Sequence, residues 1–181
     1  MQQRRGPWTV TESRQVYRNP FITVREDQAV QENGEESRFG IVEMKPGVSV
    51  LPLDDDGHVH LIEVYRFTLD RTMIEAIAGG MDEGETPREA AERELREEAG
   101  ITAQELIPLG VVDQLTEVVS SPNHLFLARR LTFAPANPEG SERITPIKVP
   151  LDEAVRWVME STITQAASTT LILKAKHHLG R

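Results

Sequence analysis

The 181-residue sequence predicts an α/β fold in which a mixed β-sheet is held between helices, preceded by an N-terminal antiparallel β subdomain. Three observations carry that expectation. Short alternating apolar runs fill residues 8–44, a helical segment capped at both ends interrupts a series of strands, and two further helical segments close the chain. The length suits one domain with an adequate core, or a small N-terminal subdomain attached to one; we place the strand subdomain at residues 1–45 and the main domain at 46–181.

From Trp8 to Met44 the runs WTVTES, RQVY, FITVRE and RFGIVEM are separated by Arg18-Asn19-Pro20 and by a polar stretch over 31–35. Asn33-Gly34 within that stretch is a tight-turn signal, so these runs read as hairpin strands. Val48–Leu53 and His58–Tyr65 follow as strands joined by Asp54-Asp55-Asp56-Gly57, and another strand covers Met73–Ile77. Beyond the central helix, Leu106–Leu115 and His124–Phe133 supply strands. A loop over Ala134–Glu142 precedes a strand ending at Val149. Pro150 and Asp152 then introduce a short helix carrying Val155, Trp157 and Val158. The last helix, Thr164–Leu179, is expected to bury Leu171, Ile172 and Leu173. His58 and His60 alternate on one strand face and read as structural; His177 and His178 read as exposed.

The central helix is signalled at both ends. Thr86 suits the N-cap, Pro87 the first helical position, Glu89 completes a capping box with Thr86, and Gly100 suits the left-handed position after the last turn. At about 100° per residue, Glu94 and Glu98 lie one turn apart with Glu97 beside them, flanking the apolar row Ala91, Leu95 and Ala99. Acidic runs on helices are usually solvated faces, and Glu89 to Arg93 and Arg93 to Glu97 are ordinary i, i+4 pairs. Carboxylates packed together beside a core are unfavourable through repulsion and desolvation unless a cation neutralises them. Oxygen-only ligands favour a hard ion, so Mg²⁺ or Mn²⁺ is expected.

Charge points the same way. The net charge is −9, and residues 79–101 hold eight acids against three bases, so more than half of the acidity is local. Such a field repels polyanions and argues against broad nucleic-acid binding, while a small anion can approach through bridging cations. The absence of cysteine excludes disulfides, thiolate metal sites and cysteine nucleophiles. Residues 1–10 carry charge with no apolar core after them, which argues against a signal peptide, and no apolar run reaches membrane length, so no membrane role and a cytoplasmic location are expected.

Gly79, Glu85, Arg93, Glu94, Leu95, Glu97, Glu98, Gly100 and Ile101 fill every fixed position of GX5EX7REUXEEXGU, with U an aliphatic residue. The segment therefore resembles the Nudix box, and the fold it implies is the Nudix α/β/α sandwich. The resemblance implies a hydrolase of diphosphates that uses water and divalent metal ions. It implies metal ligands at Glu94 and Glu98, a contribution from Glu97, and a backbone carbonyl at Ala78. It also implies an Arg93–Glu85 pair that braces loop against helix.

Outside the box, Val16 to Phe21, Leu53-Asp54, Val64-Tyr65-Arg66, Glu75 with Ala78-Gly79, His124 to Ala128 and Ala166-Ala167-Ser168 resemble the ADP-ribose pyrophosphatase and nucleoside-diphosphate-sugar hydrolase branch. That likeness implies a homodimer whose N-terminal strands exchange, with both subunits building each site. It places Phe21 and Phe39 where aromatic rings clamp a nucleobase; the alternative is that both are strand core. Arg66 is the expected diphosphate contact, a planar fork suited to phosphate oxygens, with surface pairing to Asp70 as its alternative. Glu75 is grouped with it as a substrate-binding residue. One departure stands out: the branch places a proline sixteen residues past the box, and here that position is Glu117, which either contacts a sugar hydroxyl or faces solvent.

The implied reaction is metal-assisted attack of water on a P–O–P link, giving a nucleoside monophosphate and a sugar phosphate. The branch carries its general base on the loop before the C-terminal helices, where Glu142 and Glu139 are the candidates, Glu142 being favoured for its register; Glu97 is the substitute. Two other readings are a house-cleaning nucleoside triphosphate pyrophosphatase and a non-catalytic nucleotide-sensing module. The first would release inorganic pyrophosphate, and the second usually shows eroded glutamates, which this box does not.

Overall fold

The structure, a computed structural model, describes residues 3–135 and 144–180. The chain divides into two units, Met1–Lys45 with Asp113–Ser121, and Pro46–Val112 with Pro122–Arg181.

The first unit is a five-stranded sheet of β1 (Gln3–Arg5), β2 (Trp8–Arg18), β3 (Ile22–Gln31), β4 (Glu36–Met44) and β10 (Val119–Ser120), in that order. The first four run antiparallel, whereas β10 joins β4 in parallel, Val119 opposite Val42. At the β3–β4 hairpin Gly34 adopts φ 87°, and Asn33 Oδ1 accepts the Glu35 N–H at 3.0 Å, so the turn chemistry of Asn-Gly is used directly. The runs WTVTES and RQVY form one long strand; register shifts at Val10/Glu12 and Gln15/Tyr17 absorb the irregular polar spacing that made them look separate. One residue out of character is Asp27, 1% exposed in the middle of β3. It accepts the Ser13 hydroxyl at 2.6 Å and two bonds from Arg25 Nη1 at 2.8 and 3.1 Å, which is how a buried carboxylate is tolerated.

The second unit holds β5 (Gly47–Pro52), β6 (His58–Arg66), β7 (Arg71–Glu75), β8 (Ile77–Gly80), α1 (Pro87–Ala99), β9 (Ile101–Asp113, but for its last residue), β11 (Pro122–Phe133), β12 (Ile144–Pro150), α2 (Leu151–Met159) and α3 (Ala166–His178). One sheet has the order β8-β5-β11-β9, with β5 parallel to β11 and antiparallel to β8; the other is β12-β6-β7, wholly antiparallel. All six residues of β5 are buried because both faces are covered. Val48 and Val50 pack with Ala91 and Leu95 of α1, whereas Leu51 packs with Leu171 and Ile172 of α3 and Ala154 of α2. The mixed sheet between helices is therefore the observed architecture.

The second unit also differs from the sequence reading, and β9 begins at Ile101, directly after α1, rather than at Leu106. Met73–Ile77 is not one strand: the ladder breaks at Ala76, whose N–H leaves the sheet for Ser168 Oγ on α3 at 2.9 Å, so β7 and β8 serve different sheets. Leu173 is exposed, because Leu171 and Ile172 already fill the buried arc of α3 and the next residue turns outward by about 100°. Among the described residues no helix is long and apolar enough to cross a membrane.

Candidate active site

Helix α1 is built as its sequence demands. Thr86 Oγ1 accepts the Glu89 N–H at 3.3 Å and Glu89 Oε2 accepts the Thr86 N–H at 2.8 Å, closing the capping box. Gly100 ends the helix at φ 63°, returning its N–H to Arg96 at 3.1 Å. Burial of Ala90, Ala91 and Leu95 then fixes the helix rotation and sets Glu94, Glu97 and Glu98 toward the end of β8.

The contacts there are close. Glu94 is 8% exposed, and its carboxylate lies where a side chain on Gly79 would be: a Cβ at Gly79 would meet Glu94 Oε1 at 1.9 Å. The glycine is thus required by the carboxylate it makes room for. Glu98 Oε2 accepts the Ala78 N–H at 3.4 Å. An extended residue points its N–H and C=O to the same side, so the Ala78 carbonyl opens on the same edge of β8 as Glu98.

Arg93 links this cluster to the loop before the helix. Its Nε and Nη2 fork Glu85 at 2.8 and 3.0 Å, Nη2 also reaches the Gly80 carbonyl at 2.8 Å, and Nη1 donates to Glu94 at 2.7 Å and Glu97 at 3.1 Å. Burial pushes the Glu94 carboxyl above the usual range, against the pull of Arg93, and the nearby Glu97 charge adds to the rise. Arg93 in turn is held more firmly protonated by Glu85 first, then by Glu94 and Glu97.

A divalent ion fits the chemistry of these donors: they are all oxygen, one is a buried carboxylate made reluctant to ionise, and three lie within five residues of one helix. Among the described residues no three acidic or imidazole side chains already converge as ligands. Glu94 and Glu97 face Arg93, so holding a cation requires them to turn from it. That motion is a rotamer change at the tips of flexible side chains.

Arg66 and Glu75 form a second cluster across the β6–β7 hairpin. Arg66 Nε donates to Glu75 Oε1 at 3.1 Å and Nη2 to Oε2 at 2.8 Å. Asp70, the alternative partner, instead accepts the Tyr65 hydroxyl at 2.6 Å. Glu75 stands three residues before Ala78 in the chain.

The structure does not bring Phe21 and Phe39 together within one chain. Phe39 pairs with Asp27 on β3, six residues past Phe21, so the two are separated by roughly 20 Å along the strand. Phe39 is half-buried against Trp8, ring centroids 5.2 Å apart and edge to face, while Phe21 is 77% exposed. Glu117 is exposed in the turn before β10. Glu139 and Glu142 lie outside the described residues. Sequence reasoning missed the Gly80 carbonyl on Arg93 and the Trp8 ring on Phe39. A backbone acceptor carries no sequence signal, but a Trp opening a strand beside a candidate aromatic is one that was open to use.

Residues 43–170 match the model of the NUDIX domain, and residues 8–42 match that of the nucleoside diphosphate sugar hydrolase N-terminal domain. The chain is 29% identical to an ADP-ribose pyrophosphatase of Bacillus subtilis, covering 87% of this chain and 86% of the relative. It is 27% identical to a methanol dehydrogenase activator of Bacillus methanolicus, with 82% of each covered. A solved structure described as an ADP compounds hydrolase superposes with a TM-score of 0.84 over 98% of this chain and 97% of that one, at 22% identity, a likeness of fold. With the glutamates of α1, the glycine beneath Glu94 and these matches all falling on one frame, the chain belongs to the Nudix hydrolase family, with the N-terminal domain of the nucleoside diphosphate sugar hydrolases.

Proposed function

We propose that this protein hydrolyses the diphosphate link of ADP-ribose or a related nucleoside diphosphate sugar to a nucleoside monophosphate and a sugar phosphate. The observation that carries the reading is the set of oxygen donors gathered between α1 and β8: Glu94 seated over Gly79, Glu98 on the Ala78 N–H, and Glu97 alongside. The names of the relatives, ADP-ribose pyrophosphatase among them, support the substrate class.

Nudix hydrolases use divalent metal ions. In this chain Glu94, Glu98 and the Ala78 carbonyl, with help from Glu97, would hold Mg²⁺ or Mn²⁺. When bound, such an ion neutralises charge on the diphosphate and acidifies the attacking water. Arg93 and Glu85 keep α1 in register with its loop, so the carboxylates approach from a fixed side. Arg66 grips the phosphate oxygens. Glu142, or Glu139, takes the proton as water attacks one phosphorus and the bridging P–O bond breaks, with Glu97 as the substitute base.

Residues 1–45 would supply dimerisation and contacts to the base. The separation of Phe21 from Phe39 supports a clamp completed by a second copy, each chain lending one ring. Residues 11–18 of β2 are all exposed, a strand with uncovered surface of the kind that pairs between copies. The test is a panel of nucleoside diphosphate sugars and nucleoside triphosphates assayed with Mg²⁺ and with Mn²⁺, with the products identified. Monophosphate plus sugar phosphate is expected; release of inorganic pyrophosphate would assign a triphosphate pyrophosphatase instead. Glu98→Gln should stay folded and lose turnover by orders of magnitude, and an unaltered rate would refute the assignment.

A further inference from the structure

We infer that Glu75 is a positioning residue, holding the guanidinium of Arg66 in one orientation for the diphosphate rather than touching substrate itself. The inference rests on the hydrolase reading above. The Glu75 side chain is 4% exposed, and both of its oxygens are engaged by the Nε–Nη2 edge of Arg66, at 3.1 and 2.8 Å. A carboxylate so buried persists only beside a cation, which accounts for the pair but not for its place.

The place follows from the segment that carries Glu75. Ala76 and Ile77 are fully buried, the Ala76 N–H is tied to Ser168 on α3, and the chain then reaches Ala78 and Gly79. Glu75 is therefore mounted on the same fixed segment that presents the Ala78 carbonyl and makes room for Glu94. Two parallel bonds set the plane of a guanidinium, so the Nη1 edge of Arg66 is aimed away from Glu75 in a defined direction. Arg66 is one-third exposed, and fixing a long, rotamer-rich side chain before the ligand arrives lowers the entropy lost on binding.

Charge and position make opposite predictions for Glu75→Gln. Removing a negative charge beside Arg66 raises the local positive potential, which alone would tighten a diphosphate. Releasing the fork should loosen it. The test compares wild type, Glu75→Gln, Glu75→Asp, Arg66→Ala and the double variant Arg66→Ala/Glu75→Gln in the full chain. Steady-state kinetics on the nucleotide sugar would be read beside calorimetric binding of its non-hydrolysable α,β-methylene analogue, with thermal melts for each variant.

Glu75→Gln should raise KM and the analogue Kd about tenfold with kcat within about threefold, the scale of one charge-assisted contact. Glu75→Asp, which keeps the charge but withdraws it by one methylene, should fall between, and it decides the case if Glu75→Gln does not fold. Arg66→Ala should cost about thirtyfold or more, and adding Glu75→Gln to it should cost nothing further, because Glu75 acts only through Arg66. Tighter or unchanged analogue binding in Glu75→Gln and Glu75→Asp, or multiplying effects in the double variant, overturns the inference while an active wild type leaves the hydrolase reading standing. A wild type that neither binds the analogue nor turns over any nucleoside diphosphate sugar overturns both.

Discussion

Replacing Gly79 by alanine isolates the contact on which the cluster depends. The Gly79 backbone lies outside the left-handed region, so alanine is permitted there and the whole effect is steric. The added methyl would stand 1.9 Å from Glu94 Oε1, 2.1 Å from Cδ and 2.5 Å from Oε2. Ordinary contact is about 3.5 Å, so the carboxylate must retreat by roughly 1.5 Å. It is the free end of a side chain with three torsions, so it can swing aside, which puts the overpacking cost near the low end of its range, about 1 kcal/mol. For a chain of this size that is a fall in Tm of about 2–4 °C.

Metal binding should suffer far more than stability. Glu94 must turn from Arg93 to take a cation, and a methyl in the space over Gly79 restricts that turn; misorienting a ligand costs on the order of 10–100-fold in metal affinity. Thermal melts in chelator and a Mn²⁺ titration followed by calorimetry on the same preparation would measure both. A folded Gly79→Ala variant with wild-type Mn²⁺ affinity would refute the account of Glu94, and so would a collapse of stability without a change in metal binding.

Other perturbations test neighbouring links. Arg93→Ala leaves Glu85, Glu94 and Glu97 without their shared cation, all at or below one-quarter exposure, and should lose about 2–4 kcal/mol in denaturant melts, part of it restored by Mn²⁺; a loss under 1 kcal/mol would argue against the hub. Burial works against the Asp54 carboxylate, but the Lys148 ammonium at 2.7 Å, the His58 N–H and His60 outweigh it and hold the carboxyl at about 2, below its ordinary 3.8. Its stabilisation is therefore complete above pH 4 and lost as pH falls toward 2, so Asp54→Asn should cost about 1 kcal/mol at pH 7, after screening at half-exposed Lys148, with the gap to wild type closing in acid. A gap that persists at pH 2 would show that the effect is not electrostatic. Sedimentation should give a dimer, and Val16→Lys on exposed β2 should shift it toward monomer and lower turnover together; full activity in a monomer would remove the second copy from the site.

The fold was legible where local and global demands agree. Thr86, Pro87, Glu89 and Gly100 announce α1 to the residue, and Asn33-Gly34 announces its hairpin, because caps and turns are chemistry between neighbours. The break at Ala76 was not legible. Met73 to Ile77 is a plausible strand by pattern, and what divides it is a hydroxyl on α3, ninety-two residues away. The parallel addition of β10 to β4 is equally silent, since two residues carry no period. Leu173 was misjudged for a related reason: three consecutive apolar residues cannot all face one side of a helix, and only packing decides which is left out.

The site divides along the same line. Spacing on one helix brings Glu94, Glu97 and Glu98 together whatever the rest of the chain does, so a motif can specify them. Partner choice between elements is different, and Arg66 shows why. Asp70 is four residues off and nearer in sequence than Glu75, yet Asp70 sits at a left-handed turn, φ 51°, where its carboxylate takes the Tyr65 hydroxyl, while the arginine reaches back along the hairpin to Glu75, which stands opposite Ile62. The two aromatic rings repeat the lesson: nothing in the spacing of Phe21 and Phe39 says that the β3–β4 register holds them roughly 20 Å apart, yet that register is what makes a clamp within one chain impossible. If the rings do grip one base, the grip requires two chains, and the dependence of turnover on dimerisation is then a consequence of strand register rather than an added feature of regulation.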